Sequence, residues 1–367
     1  MTKLTSKKIV FIHLLNDYSG SPKVLSQVIK AVQKKGCEVE LYSGKSADGF
    51  LTGLTDKYYH YFYKRFDNKY LTLITFMLSQ VHLFFKLLKH KNEDVIVYVN
   101  TMLPFGAALA GKLMGKPVYY HVHESSLSPA SFKGFLRTIV QKTASKVLFV
   151  SKDVEGAESF TGINQQVIYN ALPLDFMKIA VETPYQHRVD QSFNVLMICS
   201  LKAYKGINEF ITISKLIQDV PNIKFTLVLN AELLEIDAYF QKNELPSNVT
   251  LVSRQKNLIP FYEKTNLLLN LSRVDQWVET FGLTIVEAMA FGIPVIVPTV
   301  GGPTEIVRDG VDGYLLSSYE TDKIAKIIIE LSENDEKCQA LSQAARKRSE
   351  NFNEKLFEEK IFDFSCN

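Results

Sequence analysis

The sequence predicts an α/β protein built from two doubly wound parallel sheets, one in each half of the chain. Three observations carry this. Short apolar, β-branched runs alternate with helical patterns from end to end, the pattern of parallel strands joined by crossover helices. The 367 residues exceed one typical domain and suit two. Between Asn170 and Ser192 clear periodicity lapses around Pro173 and Pro184, and a fresh buried strand begins at Phe193. Ligands of such sheets sit outside the carboxyl ends of the strands.

The elements follow in order. Lys8–Leu15 reads as a buried first strand; His13, Asn16 and Asp17 argue against a signal peptide. Further strands are expected at Val39–Ser43, Val95–Asn100, Val118–His123, Val147–Ser151 and Val167–Tyr169. Helical spacing fills Lys23–Lys35, Leu71–Lys91, Phe105–Met114 and Phe132–Thr143. The second half predicts strands at Asn194–Ser200, Lys224–Leu229, Thr250–Val252, Leu267–Leu271, Val295–Pro298 and Gly313–Leu316, and a helical tail over Asn351–Phe364. The expected domains are 1–175 and 190–350, with 351–367 as a terminal helix.

Composition is that of an ordinary globular protein, 46% hydrophobic and 22% charged. Cys37, Cys199, Cys338 and Cys366 are scattered without metal-ligand spacing, so neither a disulfide framework nor a zinc site is expected, and a reducing cytoplasm is the default. The uncharged run Tyr70 to Phe85 is too short to span a bilayer and predicts a core-facing or interfacial helix. Charge is uneven. Residues 1–150 hold 21 Lys and Arg against 9 Asp and Glu, a net of +12, and the remainder carries −9. Basic and aromatic residues interleave over Lys57–Lys69, and Lys86, Lys89 and Lys91 follow. An anionic membrane surface and a plain solvated basic face explain this equally well. No nucleic-acid motif accompanies the charge.

The densest chemistry lies at Glu279-Thr280-Phe281-Gly282-Leu283-Thr284-Ile285-Val286-Glu287. Glu279 falls in a loop just ahead of a helix, and Glu287 lies about one turn inside it among apolar residues. A carboxylate there is costly unless hydrogen-bonded. The helix N-terminus offers free N–H groups to an anion. A phosphate at Gly282 and Leu283, with polyol hydroxyls on both carboxylates, satisfies all these groups, which is the outline of a nucleotide-sugar site.

Together with Ala288-Met289-Ala290, Gly292, Pro294-Val295-Ile296, Gly301-Gly302, Glu305-Ile306-Val307 and Gly313, this run resembles the donor-binding signature of the retaining glycosyltransferases of family 4. The resemblance implies the GT-B fold: two Rossmann-like doubly wound domains facing a central cleft, the first binding acceptor and the second nucleoside diphosphate sugar, with the last helix crossing back to the first. It further implies that Glu287 holds the ribose and Glu279 the sugar hydroxyls. Thr280, Phe281, Gly282, Leu283 and Thr284 then lie around sugar and phosphate. Lys205-Gly206 matches a phosphate-holding cation. The family's usual Arg is Ser200 here, and Lys202 is the nearest substitute, a point charge without the guanidinium fork. In the first domain Gly20, in the turn Tyr18–Leu25, resembles the family's acceptor-side glycine turn, and His123-Glu124 its His–acid pair near the reacting sugar. Tyr169-Asn170 resembles its hinge. His123, Lys205 and Glu279 are therefore the expected catalytic residues.

No Asp-x-Asp triplet occurs, so no metal or other cofactor is expected. Dehydrogenase and hydrolase signatures are missing too. The expected activity is retaining, metal-independent transfer from a nucleoside diphosphate sugar to a glycan or lipid-linked acceptor, in the cytoplasm or peripherally at the inner membrane face. A non-catalytic GT-B subunit and a GT-B nucleotide-sugar epimerase remain as alternatives.

Overall fold

The computed structural model describes residues 7–45, 48–66, 68–241 and 245–366. The chain divides into two compact units. The first runs to Asn170 and takes in the residues from Lys355 on; the second is Ala171–Glu354.

The first unit is a seven-stranded parallel sheet: β1 (Lys8–Leu15), β2 (Glu38–Gly44), β3 (Tyr58–Tyr61), β4 (Val95–Asn100), β5 (Val118–Val122), β6 (Lys146–Phe149) and β7 (Asn164–Val167), in the order β3-β2-β1-β4-β5-β6-β7. β1 and β4 are buried nearly throughout, as central parallel strands covered on both faces must be. The chain winds outward from β1 to β3, then restarts at β4 on the other side of β1. That switch opens a crevice at the carboxyl ends of β1 and β4. Its helices include α1 (Gly20–Lys34), α2 (Lys69–Leu87), α3 (Phe105–Leu113) and α4 (Ala130–Thr143).

The terminal helix Glu354–Cys366 packs on this unit from Lys355 onward. The Phe364 ring meets that of Tyr119 at 5.5 Å, Lys146 Nζ donates to the Phe364 carbonyl at 2.9 Å, and Lys34 pairs with Glu358. The four cysteines are free thiols, though Cys37 and Cys366 bring their sulfurs to 3.4 Å.

The second unit is a six-stranded parallel sheet: β8 (Phe193–Cys199), β9 (Ile223–Leu229), β10 (Val249–Val252), β11 (Leu267–Leu269), β12 (Val295–Val297) and β13 (Gly313–Leu315), in the order β10-β9-β8-β11-β12-β13. Phe193, Val195 and Met197 of β8 pack with Phe210, Phe225 and Leu227 in its core. The switch here lies between β8 and β11, so the loops after those two strands meet.

Three expectations need correction. The stretch 170–192, where no periodicity was expected, holds a helix over Leu174–Glu182. The last strand of the first sheet is Asn164–Val167, so Tyr169-Asn170 follows it rather than ending it. β3 falls inside the basic, aromatic stretch, where residues chosen for an exposed edge gave no apolar alternation.

Candidate active site

In the second unit the expected residues gather at the carboxyl ends of β8 and β11. The loop after β8 carries Ser200, Lys202 and Lys205. Lys205 Nζ reaches Glu279 Oε2 at 2.7 Å, with both side chains mostly buried. Its ammonium also lies 5.3 Å from the Trp277 ring centre, and that ring stacks on Tyr204 at 5.2 Å. Burial alone pushes the Glu279 carboxyl up. The Lys205 charge, with hydrogen bonds from Lys205, Asn270 and Ser272, outweighs it and holds the group below the ordinary carboxylate range. Glu279 therefore stays ionised, and a cation and an anion stand ready side by side.

Backbone geometry fixes where Glu279 sits. Gly302 N–H donates to the Glu279 carbonyl at 2.9 Å. Gly301 has φ of +93°, and a Cβ there would lie 2.4 Å from the same oxygen, so only glycine lets the two loops meet. Gly282, with φ of +100°, forms the N-cap of the helix Leu283–Ala290 and offers no side-chain cap. The first N–H groups of that helix thus stay available to a ligand. Thr280, Leu283 and Thr284 are partly exposed beside them, and Phe281 is buried against Phe352.

Glu287 is 2% exposed, deeper than its expected ribose contact implies. It is not orphaned: Tyr262 Oη donates to its Oε2 at 2.6 Å, and burial first, then Glu287, pushes the Tyr262 hydroxyl well up. Ser200 contributes its carbonyl, which accepts from Lys202 N–H at 2.7 Å; the Lys202 side chain is exposed. Arg273 of the neighbouring loop is held by Glu209, Nε to Oε1 at 2.9 Å.

In the first unit a polar chain crosses the crevice end of the sheet. His123 Nε2 lies 2.9 Å from Asn100 Oδ1, and Asn100 Nδ2 lies 3.1 Å from His13 Nδ1. The Asn100 oxygen can only accept, so His123 carries its proton on Nε2. The His121 ring lies 4.2 Å from that of His123, and its Nδ1 is 3.1 Å from Tyr98 Oη. Burial holds His13 down at about 4 and His121 at about 3. His123 is also well below its ordinary value, through burial and then its two histidine neighbours. All three are neutral at pH 7. Glu124 Oε2 accepts from His123 N–H at 3.2 Å, while its buried Oε1 has no hydrogen-bond partner, and burial lifts the carboxyl to about 7. Gly20 begins α1, and a Cβ there would meet nothing within 4 Å.

Among the described residues Glu40, His90 and Glu93 bring ligand atoms within 4.8 Å of one another. Lys8 already lies 2.6 Å from Glu40 and pairs with Glu93, supplying the positive charge that a metal would bring.

Asn270, Ser272, Tyr262, Asn100 and His13 were not expected from the sequence. Asn270 and Ser272 alternate just past β11, a polar break after three leucines that was a usable signal. Tyr262 and Glu287 are 25 residues apart, with no local pattern joining them.

Residues 184–348 match the family model for glycosyl transferases, group 1. That match lies within the second unit. Among curated proteins the chain is 27% identical over 183 residues to sucrose synthase 2 of Tulipa gesneriana, covering 47% of this chain and 22% of that one. It is 26% identical over 187 residues to the N-acetyl-alpha-D-glucosaminyl L-malate synthase of Bacillus anthracis, covering 50% and 48%. The chain thus spans less than half the length of these relatives. The Anabaena protein HepE, solved in complex with UDP and glucose, superposes with a TM-score of 0.78 at 23% identity, covering 97% of this chain and 98% of that one. The fold is GT-B, with two Rossmann-like parallel-sheet units.

Proposed function

We propose that the protein is a retaining, metal-independent glycosyltransferase of family 4. It moves a hexose from a nucleoside diphosphate sugar to a hydroxyl of a glycan or lipid-linked acceptor, in the cytoplasm or at the inner membrane face. The observation that carries this is the Lys205–Glu279 ion pair beside the uncapped N-terminus of Leu283–Ala290. It combines a cation, an ionised carboxylate and free N–H groups in one place, inside the segment that matches the group 1 model. HepE has been solved with UDP-glucose, which favours a UDP-sugar as the donor.

In this reading Lys205 and the helix N-terminus bind the diphosphate and stabilise it as it leaves. Glu279 holds the sugar hydroxyls, and Glu287 is drawn from Tyr262 towards the ribose. The first unit supplies the acceptor side, with neutral His123 as a hydrogen-bonding group. Attack comes from the face of the departing phosphate, whose oxygen takes the acceptor proton.

Calorimetric titration with UDP, GDP and ADP tests the reading. Tight binding of one nucleotide, lost in Glu287→Ala, is expected. A folded protein that binds none of them is a non-catalytic subunit instead, the alternative that Ser200 in place of Arg favours. Conversion of free nucleotide sugar without an acceptor would identify an epimerase.

A further inference from the structure

α2 exposes an apolar ridge that its own unit leaves uncovered. Tyr70, Ile74, Met77, Leu78, Val81 and Phe85 recur every three to four residues and are between 41 and 67% exposed. The opposite face is anchored: Phe76, Ser79, Gln80, Leu83 and Leu87 are buried, and Gln80 Oε1 accepts from Gly106 N–H of α3 at 3.1 Å. α3 packs beside α2, and α4 beside α3, through the Phe76–Phe105 and Phe105–Phe135 ring contacts; these helices add exposed Leu113 and Phe135. A solvent-facing apolar run of this length exceeds the scattered residues normal on a soluble surface.

Charge says what covers it. Lys64, Arg65 and Lys69 are exposed at the start of the helix, and Lys89 and Lys91 at its far end. The first 150 residues carry +12. A second copy docked face to face would set these like charges against each other. An anionic bilayer would take both features, the ridge into the acyl boundary and the lysines among the headgroups.

We propose that the α2 ridge seats the first unit on an anionic phospholipid surface, with the helix lying in the plane of the interface. The segment Lys69–His90, at 22 residues, is long and apolar enough to cross a membrane. Crossing would expose the buried Ser79–Gln80 face and break the bond to Gly106, so lying flat preserves the fold. This surface is independent of the donor site, and its test reads binding rather than activity.

The experiment is flotation of the purified chain with vesicles of phosphatidylcholine alone, or of equal parts phosphatidylcholine and phosphatidylglycerol. Binding is expected to the second only, and to weaken between about 0.1 and about 0.5 M salt. Each lysine near the surface contributes about fivefold, so Lys64→Gln/Lys69→Gln should lower the partition coefficient about 25-fold. Ile74→Asp/Val81→Asp should abolish flotation with an unchanged circular dichroism spectrum; should it fail to fold, the lysine pair still decides. No flotation of the wild-type chain overturns the proposal, as do variants that float equally well. A dimer in sedimentation that Ile74→Asp dissociates, without vesicle binding, assigns the ridge to a second copy and overturns it too.

Discussion

Acid should unfold the first unit through its buried histidines, and His121→Gln should blunt the effect. His13 and His121 are held at about 4 and about 3 by burial, against an ordinary 6.5. The unfolded chain takes up protons below 6.5 that the folded chain refuses. The stabilisation is therefore complete above 6.5 and lost as pH falls through the window down to the folded values. At pH 4 each ring has forfeited about 3 kcal/mol, at roughly 1.4 kcal/mol per unit. Together that approaches the whole stability of a typical domain, 5–15 kcal/mol in general. Glu124 works the other way: its carboxyl, lifted to about 7, favours the folded state below about 4.5 and loses that contribution as pH rises through 7. In His121→Gln the glutamine amide can still meet Tyr98, but the titration is gone. The assay is urea unfolding at pH 4, 5.5 and 7, read by hydrogen exchange of peptides from β4 and β5 so that only the first unit is scored. The variant should lose about 3 kcal/mol less than wild type between pH 6.5 and 4. Parallel pH profiles for the two proteins would refute the reasoning, because carboxylate titrations elsewhere cancel in the difference.

Other changes probe the proposed donor site. Lys205→Met should weaken UDP binding roughly tenfold to a hundredfold, the range of a lost charged hydrogen bond, with uridine affinity little changed in the same calorimetry. Tyr262→Phe removes a donor to a 2% exposed carboxylate and should cost about 1–3 kcal/mol in urea unfolding of the second unit. Gly301→Ala forces a Cβ to within 2.4 Å of the Glu279 carbonyl, so UDP affinity should fall with Lys205 and Glu279 both intact. Ser200→Arg should strengthen UDP binding severalfold and lower its sensitivity to salt; unchanged affinity would remove Ser200 from the phosphate side.

The string around Glu279 was legible because backbone contacts dictated its residues. Gly301 and Gly302 approach the carbonyls of Glu279 and Thr280 so closely that no side chain fits, and a Cβ at Gly313 would lie 2.4 Å from the Val295 oxygen. Residues forced in this way recur as an ordered local string, and a string can be read. The polar chain of the first unit is different. His13, Asn100 and His123 are polar residues at the ends of separate strands, 87 and 23 positions apart, brought together only by parallel register and the β1–β4 switch. Only the alternation that put His121 and His123 on one face was local. The exposure of α2 was hidden for another reason: its two faces are both apolar, so hydropathy could not say which one the core would take.

Charge balance at the candidate site constrains how a ligand can enter. Lys205 and Glu279 cancel each other at 2.7 Å, so the pair presents little net field until something separates them. A diphosphate arriving at Lys205 competes with Glu279 for the ammonium, and the displaced carboxylate, left with Asn270 and Ser272, can take further donors. Sugar hydroxyls supply them beyond what a bare nucleoside diphosphate offers. On the proposed reading, an intact nucleotide sugar therefore suits this pair better than it would a fixed, unpaired cation. On the same reading Ser200 stands where a second cation would, Arg273 is held by Glu209, and the helix N-terminus and Lys202 serve as further positive partners. On the proposed reading, release of the nucleotide restores the Lys205–Glu279 pair, which is then the resting partner of each group.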